Sequence, residues 1–247
     1  MSFHRTAYSI ALALAGLMTV QPSMAGEKRA VLELFTSQGC SSCPAADRLM
    51  GEFTHDPSLI TMSLAVDYWD YLGWQDTLAL HGHTKRERAY AAARGDRDVY
   101  TPQVVVNGEI AVLGSDKSAI EDAIKQTRAR AKPLSVPVTL KIVDNKLVAE
   151  VADATGVMRQ AEVWLCPITG KITVNVGRGE NGGKTLTYYN VVRGWKKLGD
   201  WSGKAASFSH PLDDVQGADI DSFAVLVQSG AAAKPGVVLG AATVDAR

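Results

Sequence analysis

Two patterns of apolar positions follow one another along the chain. As far as residue 130, short continuous apolar runs alternate with stretches of helical spacing. Val31, Leu32, Leu34 and Phe35 form the kind of run expected of a strand covered on both faces. Ala45, Ala46, Leu49, Met50 and Phe53 then recur at helical spacing, which leaves Asp47, Arg48 and Glu52 for the opposite side. Residues 59–66 read as a second buried strand, and residues 84–94 as a helix that turns Tyr90 and its alanines inward. Residues 99–106 and 109–113 flank Asn107-Gly108, a two-residue hairpin signal. Ser115 or Asp116 caps a further helix, with Ala119, Ile120, Ala123, Ile124 and Thr127 on its inner face, ending near Arg130. Past a linker at 133–137 the period shortens to two. Strands are expected at 136–143, 147–151, 157–165, 172–176, 185–192, 205–209, 222–228 and 236–244, separated by turn residues. That half reads as an all-β sandwich.

The first 25 residues read as an export signal. Arg5 is the basic start, residues 10–20 are the apolar stretch, and Ser23-Met24-Ala25 is a small-x-small cleavage site. The apolar stretch is shorter than the ~20 residues that cross a bilayer. The chain from 26 to 247 is therefore expected to carry no membrane span and to work in the periplasm or outside the cell. With 26 basic and 26 acidic residues it has no electrostatic footprint for nucleic acid. An apolar content of 46% is enough for one large or two modest domains. Three cysteines do not make a disulfide scaffold.

Candidate chemistry concentrates at Cys40-Ser41-Ser42-Cys43, between the first strand and the first helix. Gly39 permits the turn and Pro44 suits the helix start. Unpaired N–H groups and the positive end of the helix dipole favour a thiolate there, by roughly 1 kcal/mol. The thiolate is the reactive form. Cys40, at the turn, is expected to be the more exposed, attacking sulfur, and Cys43 the resolving one. A structural zinc site needs four ligands, and only Cys166 remains as a further thiol. Cys166 itself reads as a small buried apolar residue. Asp67-Tyr68-Trp69-Asp70-Tyr71-Leu72-Gly73-Trp74 lies just past a strand end, where open α/β sheets place ligand crevices. Trp69, Trp74 and Asp67 either line a substrate groove there or pack the loop onto the core. Asp67 is also a candidate proton acceptor for Cys43. His81 and His83 read as a metal pair or as a solvated approach to a helix. The glycine-rich segment 178–183 lacks the lysine and spacing of a phosphate loop and reads as a hairpin tip or a binding loop.

The element order, with CxxC on the first helix and Thr101-Pro102 before the third strand, resembles the thioredoxin-like fold. That resemblance implies a cis-proline loop opposite the CxxC, with Pro102 and Thr101 presenting backbone to an extended substrate and Pro102 keeping metals away. Thioredoxins proper carry a buried aspartate six residues before the first cysteine, where this chain has Leu34. LELFTSQGCSSCPAAD, VDYWDYLGW, YTPQVVVNG and RGENGGKTLTYYNVV together resemble the secreted bacterial family called domain of unknown function 1223. The resemblance implies a thioredoxin-like domain with a β-rich partner in exported proteins and no settled reaction. Because a family motif covers the glycine-rich segment, docking near the CxxC is one reading of it, beside that of a hairpin tip.

The expectation is thus an α/β thioredoxin-like domain at 26–132 followed by an all-β sandwich-like domain at 133–247. The expected function is exported thiol–disulfide exchange on protein or small-thiol partners, without a cofactor or a bound metal. The alternatives are a periplasmic copper carrier, in which soft thiolates hold Cu(I) with His81 or His83, and a non-catalytic binding module.

Overall fold

The computed structural model describes residues 28–130, 133–154 and 160–246; the expected export signal at 1–25 lies outside them. The first elements are β1 (Ala30–Thr36), α1 (Cys43–Phe53), β2 (Leu59–Ala65), α2 (His81–Arg94), β3 (Gln103–Val106), β4 (Ile110–Leu113) and α3 (Lys117–Arg130). They follow in the order that periodicity predicts. Every residue of β1 and β2 is buried, as continuous apolar runs require. Asn107 and Gly108 take positive φ of 52° and 76°, the geometry of a tight hairpin turn. The Asp116 carboxylate accepts the Ala119 N–H at 3.0 Å and so caps α3.

Among the described residues the later elements are all strands apart from one short 3-10 turn at Leu212–Asp214. They are β5 (Val138–Val143), β6 (Lys146–Val151), β7 (Ala161–Asn175), β8 (Thr185–Val192), β9 (Lys196–Trp201), β10 (Ala206–Pro211), β11 (Ser222–Ala231) and β12 (Lys234–Asp245). Residues 157–159 of the strand expected at 157–165 lie outside the described residues, and its remainder from Ala161 is one strand, β7, with the strand expected at 172–176. Its first part pairs with β9 and its last part with β8. Pro167 sits where the partner changes, and its carbonyl accepts the Arg193 N–H at 2.9 Å. A proline at that gap forfeits no ladder bond.

The expected division into an α/β thioredoxin-like domain followed by an all-β sandwich-like domain is not what the chain forms. Among the described residues there are twelve strands and three α-helices. Nine strands make one mixed sheet in the order β12-β11-β7-β8-β2-β1-β3-β4, with β9 paired to β7, and β10-β6-β5 make a second sheet. The sheet crosses from one half of the chain to the other because β8 lies parallel beside β2, with Ser63 opposite Val191. Ser63 Oγ donates to the Tyr189 carbonyl at 2.7 Å, and Asn190 Nδ2 donates to Thr61 Oγ1 at 2.8 Å. Without β8 the edge of β2 would present unpaired backbone groups.

Among the described residues four cores hold these layers, one of them formed by Ala65, Leu78, Val176, Leu186, Tyr188 and Val191 beside the β2–β8 join. On one face of the sheet, Leu32, Leu34, Val104 and Val106 pack against Met50 of α1 and Ile124 of α3. On the other, Val31, Phe35, Met62 and Val105 share a core with Tyr90 of α2 and with Cys166, Leu226 and Val238 of the second half. A third core fills the space between the three-stranded sheet and β7 and β11. The sheet curls, so that the Val238 N–H in β12 donates to the Asn107 carbonyl of the β3–β4 turn at 3.0 Å. Buried Arg86 ties α2 to both halves, donating to Glu33 Oε1 at 3.0 Å and to Gln228 Oε1 at 2.9 Å. Among the described residues no helix is long and apolar enough to cross a membrane.

Candidate active site at the start of the first helix

The turn between β1 and α1 is closed by its own backbone. The Cys40 N–H donates to the Ser37 carbonyl and the Cys43 N–H to the Cys40 carbonyl, each at 3.2 Å. Cys40 and Cys43 are joined as a disulfide with their Cα atoms 5.4 Å apart. Cys43 opens α1 and Pro44 follows in its first turn. The sulfur pair therefore sits at the positive end of the helix, as its spacing predicts.

Exposure differs from expectation. Cys40 is 1% exposed and Cys43 fully buried. The cysteines are buried although Ser41 and Ser42 between them are exposed, and the β7–β8 connection is hydrogen-bonded to the backbone of this turn. Asn181, itself fully buried, donates from Nδ2 to the Gln38 carbonyl at 3.0 Å and to the Cys40 carbonyl at 2.8 Å. The Glu180 carboxylate accepts the Ser41 N–H at 3.1 Å. Of the two exposed serines, Ser42 has its Oγ 3.4 Å from Cys40 Sγ.

The residues expected to surround the pair gather around this turn. The Thr101–Pro102 bond is cis. Pro102 faces α1 across Gly114, where an added β-carbon would lie 3.1 Å from Pro102 Cβ and 3.3 Å from Ala46 Cβ. Trp69 Nε1 donates to Thr101 Oγ1 at 2.8 Å. Trp69 also packs on the turn, its Cβ 2.9 Å from where a β-carbon on Gly39 would sit. Trp74 Nε1 donates to Gln38 Oε1 at 2.8 Å, and the indole lies against Gly177. Both half-buried indoles thus bind the loop to the turn.

Asp67 faces elsewhere. Burial raises its carboxyl, but hydrogen bonds from Thr84 and His81 more than offset this and hold it below the usual carboxylate range. Its partners are Thr84 and His81 rather than either cysteine. His81 is exposed and lies 2.8 Å from Asp67 Oδ2, whereas buried His83 lies 2.9 Å from the Ala65 carbonyl. The two histidines do not form a pair. Among the described residues no group of three or more histidine, cysteine or acidic side chains is placed to hold a metal ion. Cys166 is fully buried, and burial pushes its thiol up.

A buried acid on the same helix as Cys43 is Asp47, four residues further along α1. The sequence assigns it to the outer side, yet it is 3% exposed. Thr36 Oγ1 donates to its Oδ1 at 2.8 Å, and among the described residues Oδ2 has no hydrogen-bond partner. Burial pushes its carboxyl up to about 8, and the nearby Asp76 adds to the rise. Asp76 is also buried and also raised by burial; its Oδ2 accepts the Gln38 N–H at 2.7 Å. The signal for Asp47 was its i, i+4 relation to Cys43, which puts the two on one helix face. Asn181 and Glu180 lay within a recognised motif but carried no local sign of their partners.

No match is found among curated proteins. The structure is similar to that of protein AGR_C_4864 from Agrobacterium tumefaciens, with 32% identity, a TM-score of 0.78, and coverage of 89% of this chain and 95% of that one. It also shares its fold with HBP35 of Porphyromonas gingivalis at 15% identity and a TM-score of 0.57, over 88% of this chain and 75% of that one. Residues 31–228, from the first strand through the turn, the cis-proline loop and the segment that covers the disulfide, match the family described as protein of unknown function DUF1223, and the chain belongs to that family.

Proposed function

We propose that this protein is an exported thiol–disulfide oxidoreductase working through Cys40 and Cys43. The observation that carries the reading is the disulfide at the first turn of α1 with a buried, protonatable Asp47 one turn further along. Export rests on the pattern of the first 25 residues.

A substrate thiolate attacks Cys40 Sγ, the sulfur that touches an exposed side chain. The S–S bond breaks and its electron pair leaves on Cys43 Sγ. The helix end stabilises that thiolate by roughly 1 kcal/mol. Asp47 holds its proton at neutral pH and supplies it to the leaving sulfur on the same helix face. A second substrate thiolate then attacks the substrate sulfur of the mixed disulfide, and Cys40 leaves as a thiolate. One protein disulfide and two thiols become a protein dithiol and one substrate disulfide; run backwards, the same steps reduce a substrate. The relative potential of the partner sets the direction.

The test is turnover of a model protein disulfide with dithiothreitol as reductant. The wild-type protein is expected to accelerate it, Cys40→Ser to abolish the acceleration, and Cys43→Ser to accumulate a mixed disulfide on Cys40. Undiminished turnover by Cys40→Ser contradicts the reading.

A further inference from the structure

The connection between β7 and β8 belongs by sequence to the second half of the chain, yet its polar groups are spent on the disulfide turn. Asn181 uses its amide to hold two carbonyls, those of Gln38 and Cys40, and its own Oδ1 accepts from Lys184 Nζ at 2.9 Å. Glu180 takes the Ser41 N–H, between the two cysteines. Gly177 and Gly179 lie against Trp74, whose indole N–H holds Gln38 from the side. The segment turns on Gly179 and Gly183, both at positive φ, and closes on itself through the Gly183 N–H to the Val176 carbonyl at 2.8 Å. In the turn it grips, Cys40 is 1% exposed and Cys43 fully buried.

Thiol–disulfide exchange requires an incoming sulfur to reach Sγ, and access is one of the terms that sets its rate. We propose that residues 178–183 are a strap that closes the Cys40–Cys43 pair and must lift before any thiol can attack, with Asn181 as the latch and Glu180 as its second point of attachment. The inference concerns regulation of the site proposed above and rests on that reading. It gives the second half of the chain a role in the chemistry of the first: a partner that engages the strap speeds its opening, whereas a thiol in free solution reacts only as fast as the strap lifts by itself. Lifting breaks the hydrogen bonds of Asn181 and Glu180 but leaves the β7–β8 ladder paired from Asn175 and Thr185 onward.

The experiment is the rate of reduction of the disulfide by dithiothreitol in the full chain, followed by quenching with an alkylating agent and weighing the product. Asn181→Ala is expected to be reduced roughly ten times faster than wild type, and Glu180→Ala faster by a smaller factor. Glu180 is exposed, so its variant folds even if Asn181→Ala does not. Wild-type reduction at the rate of a small unstrained disulfide, or rates within twofold of wild type for each folded variant, overturns the strap. The equilibrium potential of the pair is a separate quantity: a pair too stable to exchange with physiological thiols defeats the redox reading even where the variants open the strap.

Discussion

Burial holds the Asp47 carboxyl at about 8, far above its ordinary value of 3.8, so the folded state keeps a proton that the unfolded chain gives up. The stability this contributes is complete below the unfolded value and is lost as pH rises through about 8. Glu87, also raised by burial to about 8, acts in the same sense. His83, lowered by burial to about 4, acts oppositely, losing stability as pH falls from 6.5. Asp47→Asn isolates one of these. Its melting temperature is expected to gain on wild type steadily between pH 4 and 8, and a constant gap contradicts the assignment. At Gly39 an added methyl meets Trp69 Cβ at 2.9 Å, which is not the end of a flexible chain. Gly39→Ala should cost about 1–3 kcal/mol in denaturant unfolding. The cis bond before Pro102 was expected only as what the resemblance implied, whereas the cysteine pair was legible from its spacing. Asp47 was not, since a charged residue on an amphipathic helix reads as solvent-facing until its burial is known.

At the scale of elements, α2 is pinned by Arg86. The guanidinium is almost fully buried between Glu33 of β1 and Gln228 of β11, and it lies 4.1 Å from the Trp195 ring centroid. Glu33→Gln leaves that charge without its counter-ion, and breaking such a pair costs about 3–5 kcal/mol. Denaturant unfolding is expected to show a loss of that size; a loss below ~1 kcal/mol contradicts the pairing. The same three elements show what the sequence can announce. β1 and α2 follow from continuous and helical apolar spacing, and β11 from its apolar run. The full span of β7 does not, because Pro167 and Gly170 read as a break, whereas the change of partner from β9 to β8 accommodates the proline. β9 is hidden for a different reason: KKLGDW has too few apolar positions to show a period of two.

Across the whole molecule the two halves share a sheet and a core, and this join was the least legible feature. Among the described residues β2 and β8 meet at one bridge, Ser63 opposite Val191. Side-chain bonds, the Val238–Asn107 backbone bond and Arg86 reinforce the join, and no local pattern encodes them. Residues of both halves fill the core around Phe35 and Leu226, so unfolding should be one cooperative transition. Far-ultraviolet circular dichroism and tryptophan fluorescence should trace the same curve; two separate midpoints would show independent domains. The central claim, that Cys40 and Cys43 form a working redox couple, is tested most directly by equilibrating the full chain in graded thiol–disulfide buffers and counting free thiols. A reversible midpoint between about −270 and −120 mV, the range of exchange-active pairs, is the expected result. A pair that stays oxidised until below about −300 mV is a structural crosslink, and that result contradicts the account.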